Sequence, residues 1–333
     1  MAIFDEARFI RLVEARFGTA PLPGAPLTIG DDCALIAPGP GLTAVTTDTM
    51  VEGVHFKRAW ATAKQIGQRL AAVNLSDLAG MGAEPTFALL SVSLTHDVTE
   101  GWAKGFLDGF ATELESHGCR VVGGNMTAAP AALSFTVTLM GRLPKRGGLL
   151  RSGAKVGDLV CVTGTLGDGA LGYLDLTAGR KSALAGRYLS PTPRVEWGQL
   201  LLRERLATAC MDISDGLALD LERMLAASGG HSARIDLGKI PLSPAARRRE
   251  PTDDFWRTVV AGGDDYELLF TVNPRKEARL SRLVSEGVLT ASIIGRVESP
   301  RSGAPVRVIR PDGTPFSLSS AGWLHGGSPV NRR

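Results

Sequence analysis

The stretch LTIGDDCALIAPGPGLTAVTTDTMVEGVHF, Leu27 to Phe56, sets two acidic points close together. Asp31 and Asp32 follow Gly30, and Asp48 follows Thr46 and Thr47 at the end of an alternating apolar run. A glycine before a carboxylate pair lets the backbone turn sharply. Oxygen-only donors at a turn and at a strand end suit a hard cation such as Mg²⁺ rather than zinc. Gly-Asp-Asp is also an ordinary composition for a solvated turn, so the weight falls on whether the pattern recurs.

It recurs along the chain. Lys64 to Met81 reads as a helix, with Ile66, Leu70, Val73 and Met81 at helical spacing. Asp77 falls on that apolar stripe with Asn74 three residues before it. A carboxylate on a buried face costs several kcal/mol, of order 3–5, unless it is paired or holds a cation. Met211-Asp212-Ile213-Ser214-Asp215-Gly216 precedes a helix over Leu217–Ala227, and Ser214 or Asp215 can cap that helix. Gly262-Gly263-Asp264-Asp265-Tyr266-Glu267 leads into a strand at Leu268–Val272. Asp31, Asp32, Asp48, Asp77, Asp212, Asp215, Asp264 and Asp265 together would repel one another without cations. The expectation is an enzyme that holds a polyphosphate through several Mg²⁺ ions.

Bulk properties narrow the class. The chain has 333 residues, 44% hydrophobic and 21% charged, which favours two domains of ordinary globular composition. A formal charge of +3 gives no argument for nucleic acid or an anionic membrane. Cys33, Cys119, Cys161 and Cys210 are scattered, so a cytoplasmic location is the expectation. The amphipathic N-terminus has no apolar signal region, and no apolar run reaches membrane-spanning length.

The remaining elements follow in order. Residues 5–17 read as a helix, and Leu27–Ile36 and Gly41–Met50 as strands. A strand at Thr86–Leu94, a helix at Thr99–His117, a short strand at Arg120–Val122 ending in a Gly123–Thr127 turn, and a strand at Leu133–Leu143 complete an α/β or α+β half. The polar segment Pro144–Asp158 carries the domain boundary, giving domains 1–148 and 149–333. Gly167, Gly169 and Gly172 satisfy G-x-G-x-x-G after a strand. The acid that a dinucleotide site wants about 20 residues on is Arg187, so a tight strand-to-helix turn is the competing reading. No P-loop motif occurs.

GDDCAL, TTDTMVEGVHF, NLSDLAGMGAEP, VTGTLGDGALG, MDISDG and GGDDYELLFTV, in this order over nearly the full length, resemble the thiamine-monophosphate kinases. That family is a branch of the group that includes aminoimidazole ribonucleotide synthetase. The resemblance implies ATP-dependent phosphorylation of thiamine monophosphate to thiamine diphosphate, several Mg²⁺ ions and a homodimer. It also implies a two-domain fold, with an N-terminal mixed sheet that pairs across the dimer and a C-terminal α/β domain. By position, Asp32, Thr46, Thr47, Asp48, Asp77, Asn125, Asp212 and Asp215 match the family's metal ligands. Gly124, Asn125, Arg151 and Ser214 match its ATP contacts, and His55, Asp264 and Trp323 its thiamine-phosphate contacts. No residue matches a general base, and an acceptor that is already an anion needs none.

Three features depart from the family pattern. Asn125-Met126-Thr127-Ala128 stands where relatives usually have Asp-Thr-Thr-Arg, Asp264 where they have Glu, and Trp323 where they often have Tyr. Two other readings stay open: a same-fold kinase with another small-molecule acceptor, and a protein that binds nucleotide or thiamine phosphate without turnover.

Overall fold

The computed structural model describes residues 6–29, 33–37, 39–318 and 321–322. Asp31, Asp32 and Trp323 lie outside the described residues. The chain divides into two compact units, Met1–Gly148 and Leu149–Arg333.

The first unit runs α1 (Glu6–Phe17), β1 (Leu42–Val51), α2 (Ala63–Met81), β2 (Glu84–Leu94), α3 (Glu100–Ser116), β3 (Arg120–Ala128) and β4 (Ser134–Leu143). Its four strands form one mixed sheet in the order β1-β4-β2-β3, with only β2 and β3 parallel. Thr62 starts α2 through a reciprocal capping box with Gln65, which satisfies two of the helix's orphan amides. A Cβ at Gly67 of α2 would stand 2.1 Å from the Phe106 carbonyl of α3, so this glycine permits the close helix crossing. The rings of Phe106 and Phe135 stack at 4.4 Å between centroids and tie α3 to β4.

Register assigns the faces of this sheet. Met50, Phe135, Val137, Leu139, Ala88 and Leu90 are buried on one face. The other face carries Thr43, Val45, Thr47 and Thr49 of β1, paired with Arg142, Met140, Thr138 and Thr136 of β4. Val45 is 62% exposed there.

Two expectations fail in this unit. Among the described residues of Leu27–Ile36 no strand forms, although Leu27 bridges Leu35. The Gly123–Thr127 segment is not a turn. It continues β3 to Ala128 against β2, with a register shift between Ala88 and Leu89. The ladder supplies backbone partners that outweigh the poor strand propensity of two glycines.

The second unit runs β5 (Leu159–Thr163), α4 (Asp168–Thr177), α5 (Ala183–Leu189), α6 (Val195–Arg203), β6 (Ala207–Asp212), α7 (Leu217–Ala227) and β7 (Ser232–Asp236). It continues with α8 (Asp253–Ala261), β8 (Leu268–Val272), α9 (Glu277–Ser285), β9 (Ala291–Glu298), β10 (Val306–Ile309) and β11 (Pro315–Phe316). Its sheet has the order β11-β10-β7-β9-β5-β8-β6. β5 lies antiparallel to both neighbours, β8 and β9. That excludes the dinucleotide reading of Gly167, Gly169 and Gly172, which needs a parallel βαβ unit. Among the described residues, no helix is long and apolar enough to cross a membrane.

Candidate functional site

In the first unit Asp48 lies on β1 and Asp77 on α2. Thr46 Oγ1 donates to Asp77 Oδ2 at 2.5 Å, which joins the strand to the helix. Asp77 is half-buried rather than fully inward, and the hydroxyl gives it the partner that burial demands. Asn74, fully buried one turn earlier, donates from Nδ2 to the Leu70 carbonyl at 2.8 Å. Its Oδ1 is left without a hydrogen-bond partner, an orphaned acceptor on the helix that carries Asp77. Asp48 is exposed, opposite Val137 in the β1–β4 ladder. Thr47 donates to the Val137 carbonyl at 2.9 Å.

Gly124 and Asn125 lie on β3, both exposed. Asn125 pairs with Ser91 and Ser91 with Thr136, the residue opposite Thr49. That row lies on the open face. Asp48 shares its row with Val137, Leu90 and Gly124, on the other face. β1 and β3 are the two edges of the sheet, so three strand spacings, about 14 Å, separate Asp48 from Asn125 within one chain. The expected grouping of these two residues is therefore not met inside a single unit.

His55 closes the turn after β1. Its Nδ1 accepts from the Val51 amide at 3.0 Å. An accepting Nδ1 leaves the ring proton of the neutral imidazole on Nε2, as a donor.

In the second unit two loops interlock. The Asp264 amide donates to the Ser214 carbonyl, and the Tyr266 amide to the Ile213 carbonyl, both at 2.9 Å. A Cβ at Gly263 would stand 2.2 Å from the Ser214 carbonyl, so only glycine allows this approach. The strained φ of +70° at Asp264 holds its carboxylate where Tyr266 Oη donates to Oδ1 at 3.0 Å. Asp212, 5% exposed, ends β6 at the base of the same loop.

Neither Ser214 nor Asp215 caps α7. Gly216 is the N-cap, without a side-chain cap. Asp220, fully buried one turn inside the helix, reaches back and accepts from the Ser214 and Asp215 amides at 3.1 and 3.0 Å. Burial raises the Asp220 pKa, against the pull of the Asp215 amide and of Arg223. Asp215 Oδ2 accepts from Arg223 Nη1 at 2.6 Å. Arg151 is exposed, and its carbonyl accepts from Ser228 Oγ at 3.3 Å.

Asp265 leaves the acidic set. It is 3% exposed and accepts from the Gly167 and Gly169 amides at 2.7 and 3.1 Å, pinning the turn that starts α4. Burial pushes its carboxyl up to about 8, although both amides favour the charged form. Glu267 is likewise structural. Fully buried, it accepts from Thr163 at 2.8 Å and from Arg194 Nε at 2.7 Å.

Among the described residues, no three His, Cys, Asp or Glu side chains gather closely enough to hold a metal ion by themselves. The donors present are oxygens of carboxylates, hydroxyls and an amide, which is the chemistry Mg²⁺ takes, usually completed by water and substrate phosphate.

Comparison with known proteins decides the family. The AIR synthase related protein N-terminal domain matches residues 30–143, and its C-terminal domain matches residues 155–307. The thiamine-monophosphate kinase of Escherichia coli strain K12 is 39% identical over 311 residues, 91% of this chain and 93% of that protein. The chain belongs to the thiamine-monophosphate kinase family. The crystal structure of the thiamine-monophosphate kinase from Stenotrophomonas maltophilia K279a superposes with a TM-score of 0.81 at 37% identity, covering 94% of this chain and 98% of that one. The structure of AaThiL complexed with AMPPCP and TMP gives a TM-score of 0.73 at 29% identity, covering 96% of each chain.

Within this thiamine-monophosphate kinase fold, the sequence motifs locate Asp212, Ser214, Asp215 and Asp264 on two loops that do meet. Asp220 and Arg223 are missed. Asp220 carries a weak signal, an acid in the first turn of a helix. Nothing local marks Arg223.

Proposed function

We propose that this protein transfers the γ-phosphoryl group of ATP to thiamine monophosphate, giving thiamine diphosphate and ADP. Membership of the family at 39% identity across both domains carries this reading. An oxygen of the thiamine monophosphate phosphate attacks the γ-phosphorus in line, and the bond from that phosphorus to the β–γ bridging oxygen breaks. The acceptor oxygen is already anionic, so the chain needs only to bind, orient and exclude water.

Bound Mg²⁺ would neutralise phosphate charge at this site. Asp32, Thr46, Thr47, Asp48, Asp77, Asn125, Asp212 and Asp215 are the residues that would hold it, and their all-oxygen chemistry supports that role. Gly124, Asn125, Arg151 and Ser214 serve ATP. His55, with its Nε2–H, donates to the acceptor molecule, and Asp264 and Trp323 complete that contact. Asn125 brings no charge, which leaves one cation position weaker than a carboxylate would make it.

The active form we propose is a homodimer closed over the open sheet face. One feature supports it: Val45 is 62% exposed amid the β1–β4 threonines of that face. Buried free thiols at Cys119, Cys161 and Cys210 fit a reducing compartment such as the cytoplasm. The test of the activity is formation of thiamine diphosphate and ADP from purified protein, ATP, Mg²⁺ and thiamine monophosphate. Absence of product, with binding of either substrate retained, would favour a binding protein.

A further inference from the structure

Asp215 already has a cation beside it, supplied by the chain. Arg223 Nη1 reaches Asp215 Oδ2 at 2.6 Å and Asp220 Oδ1 at 2.8 Å, one nitrogen bridging two carboxylates. Arg223 is not free to swing away. Asp220 is fully buried on the same helix, three residues earlier, and its second oxygen is committed to the Ser214 and Asp215 amides. The anchor that fixes the Asp215 backbone therefore also fixes the guanidinium against the Asp215 side chain. Arg223 itself keeps 36% of its side chain exposed, and Asp215 keeps 19%.

We infer that Arg223 is a built-in counter-ion that occupies Oδ2 of Asp215, confines any divalent cation to the other oxygen, Oδ1, and weakens that cation's binding. The inference rests on the proposed role of Asp215 as a cation ligand. The physical reason is twofold. A guanidinium on one carboxylate oxygen cancels much of the charge that attracts a cation. It also blocks bidentate coordination, so the cation takes one protein oxygen and keeps more of its water, as Mg²⁺ readily does. Such a site fills more readily when substrate phosphate adds its own oxygens, which couples cation occupancy at Asp215 to substrate.

The experiment measures Mn²⁺ binding to the full, nucleotide-free protein by electron paramagnetic resonance of free Mn²⁺, with Mg²⁺ as competitor. Arg223→Gln, which removes the charge and keeps a hydrogen-bond donor, is expected to bind one Mn²⁺ about three- to tenfold more tightly than wild type. Arg223→Lys keeps the charge and is expected to bind like wild type. Asp215→Asn should abolish that Mn²⁺ in either background. Unchanged or weaker binding in Arg223→Gln, while Asp215→Asn still loses the ion, would overturn the role of Arg223. Unchanged binding in Asp215→Asn would overturn the ligand assignment beneath it. Should Arg223→Gln fail to fold, wild type carries the test. Its ¹⁵N-arginine side-chain resonance, assigned with Arg223→Lys, must shift as Mg²⁺ saturates the Asp215-dependent site, and a resonance that stays in place contradicts the inference.

Discussion

Asp77 separates two roles that a carboxylate near a helix face can have. Its bond from Thr46 at 2.5 Å needs an acceptor, which Asn also provides. Asp77→Asn should therefore change folding stability by no more than about 1 kcal/mol. As a cation ligand, the same change should lower kcat by about 100-fold or more. Thermal unfolding of the unliganded variant beside its steady-state rate makes the comparison. A large fall in melting temperature with little loss of rate would make Asp77 a structural residue. Asp265 poses a different question at the same scale. Its folded pKa of about 8 lies above the ordinary carboxyl value near 3.9, so the folded state binds the proton more tightly. The stabilisation it gives is full below about pH 4 and is lost as pH rises toward 8. Asp265→Asn, neutral throughout, should gain on wild type between pH 5 and pH 8 by on the order of a few kcal/mol. Urea unfolding at those two values checks it, and a pH-independent difference would refute it. Both aspartates sit in strings that stand out in the sequence. Their opposite fates do not, because the second follows from the amides of Gly167 and Gly169, nearly a hundred residues away.

The helices that position the site are legible from their period and caps. Leu217–Ala227 falls where the apolar spacing puts it, and α2 begins one residue before Lys64. Strands are less legible, because their partners are remote. Gly123-Gly124 reads locally as a turn, yet β2 accepts it as ladder, and the Leu27–Ile36 alternation finds no partner strand among the described residues. This pairing moves Asn125 to the open face and so changes what the departure from Asp means. β1 makes the face testable. Val45, 62% exposed and paired with Met140, lies within the proposed dimer contact. Val45→Lys should convert a dimer into a monomer by sedimentation equilibrium while far-UV circular dichroism is retained, since a buried lysine without a partner is costly at an interface. A monomeric wild type, or a variant that stays dimeric, contradicts the pairing.

At the scale of the molecule, each of the two units carries its own sheet, with the division between Gly148 and Leu149. Composition and length suggest two domains, and the order of the acidic motifs suggests the family. Neither suggests the mixed seven-stranded order of the second sheet, in which β5 and β8 pair across more than a hundred residues. The proposed function is most directly tested by its product. Purified protein is incubated with ATP and either thiamine monophosphate or free thiamine, with Mg²⁺ or with excess chelator, and the products are separated by chromatography. Thiamine diphosphate should form, in step with ADP, only from thiamine monophosphate and only with Mg²⁺. Turnover that survives the chelator, or a preference for free thiamine, would contradict the account.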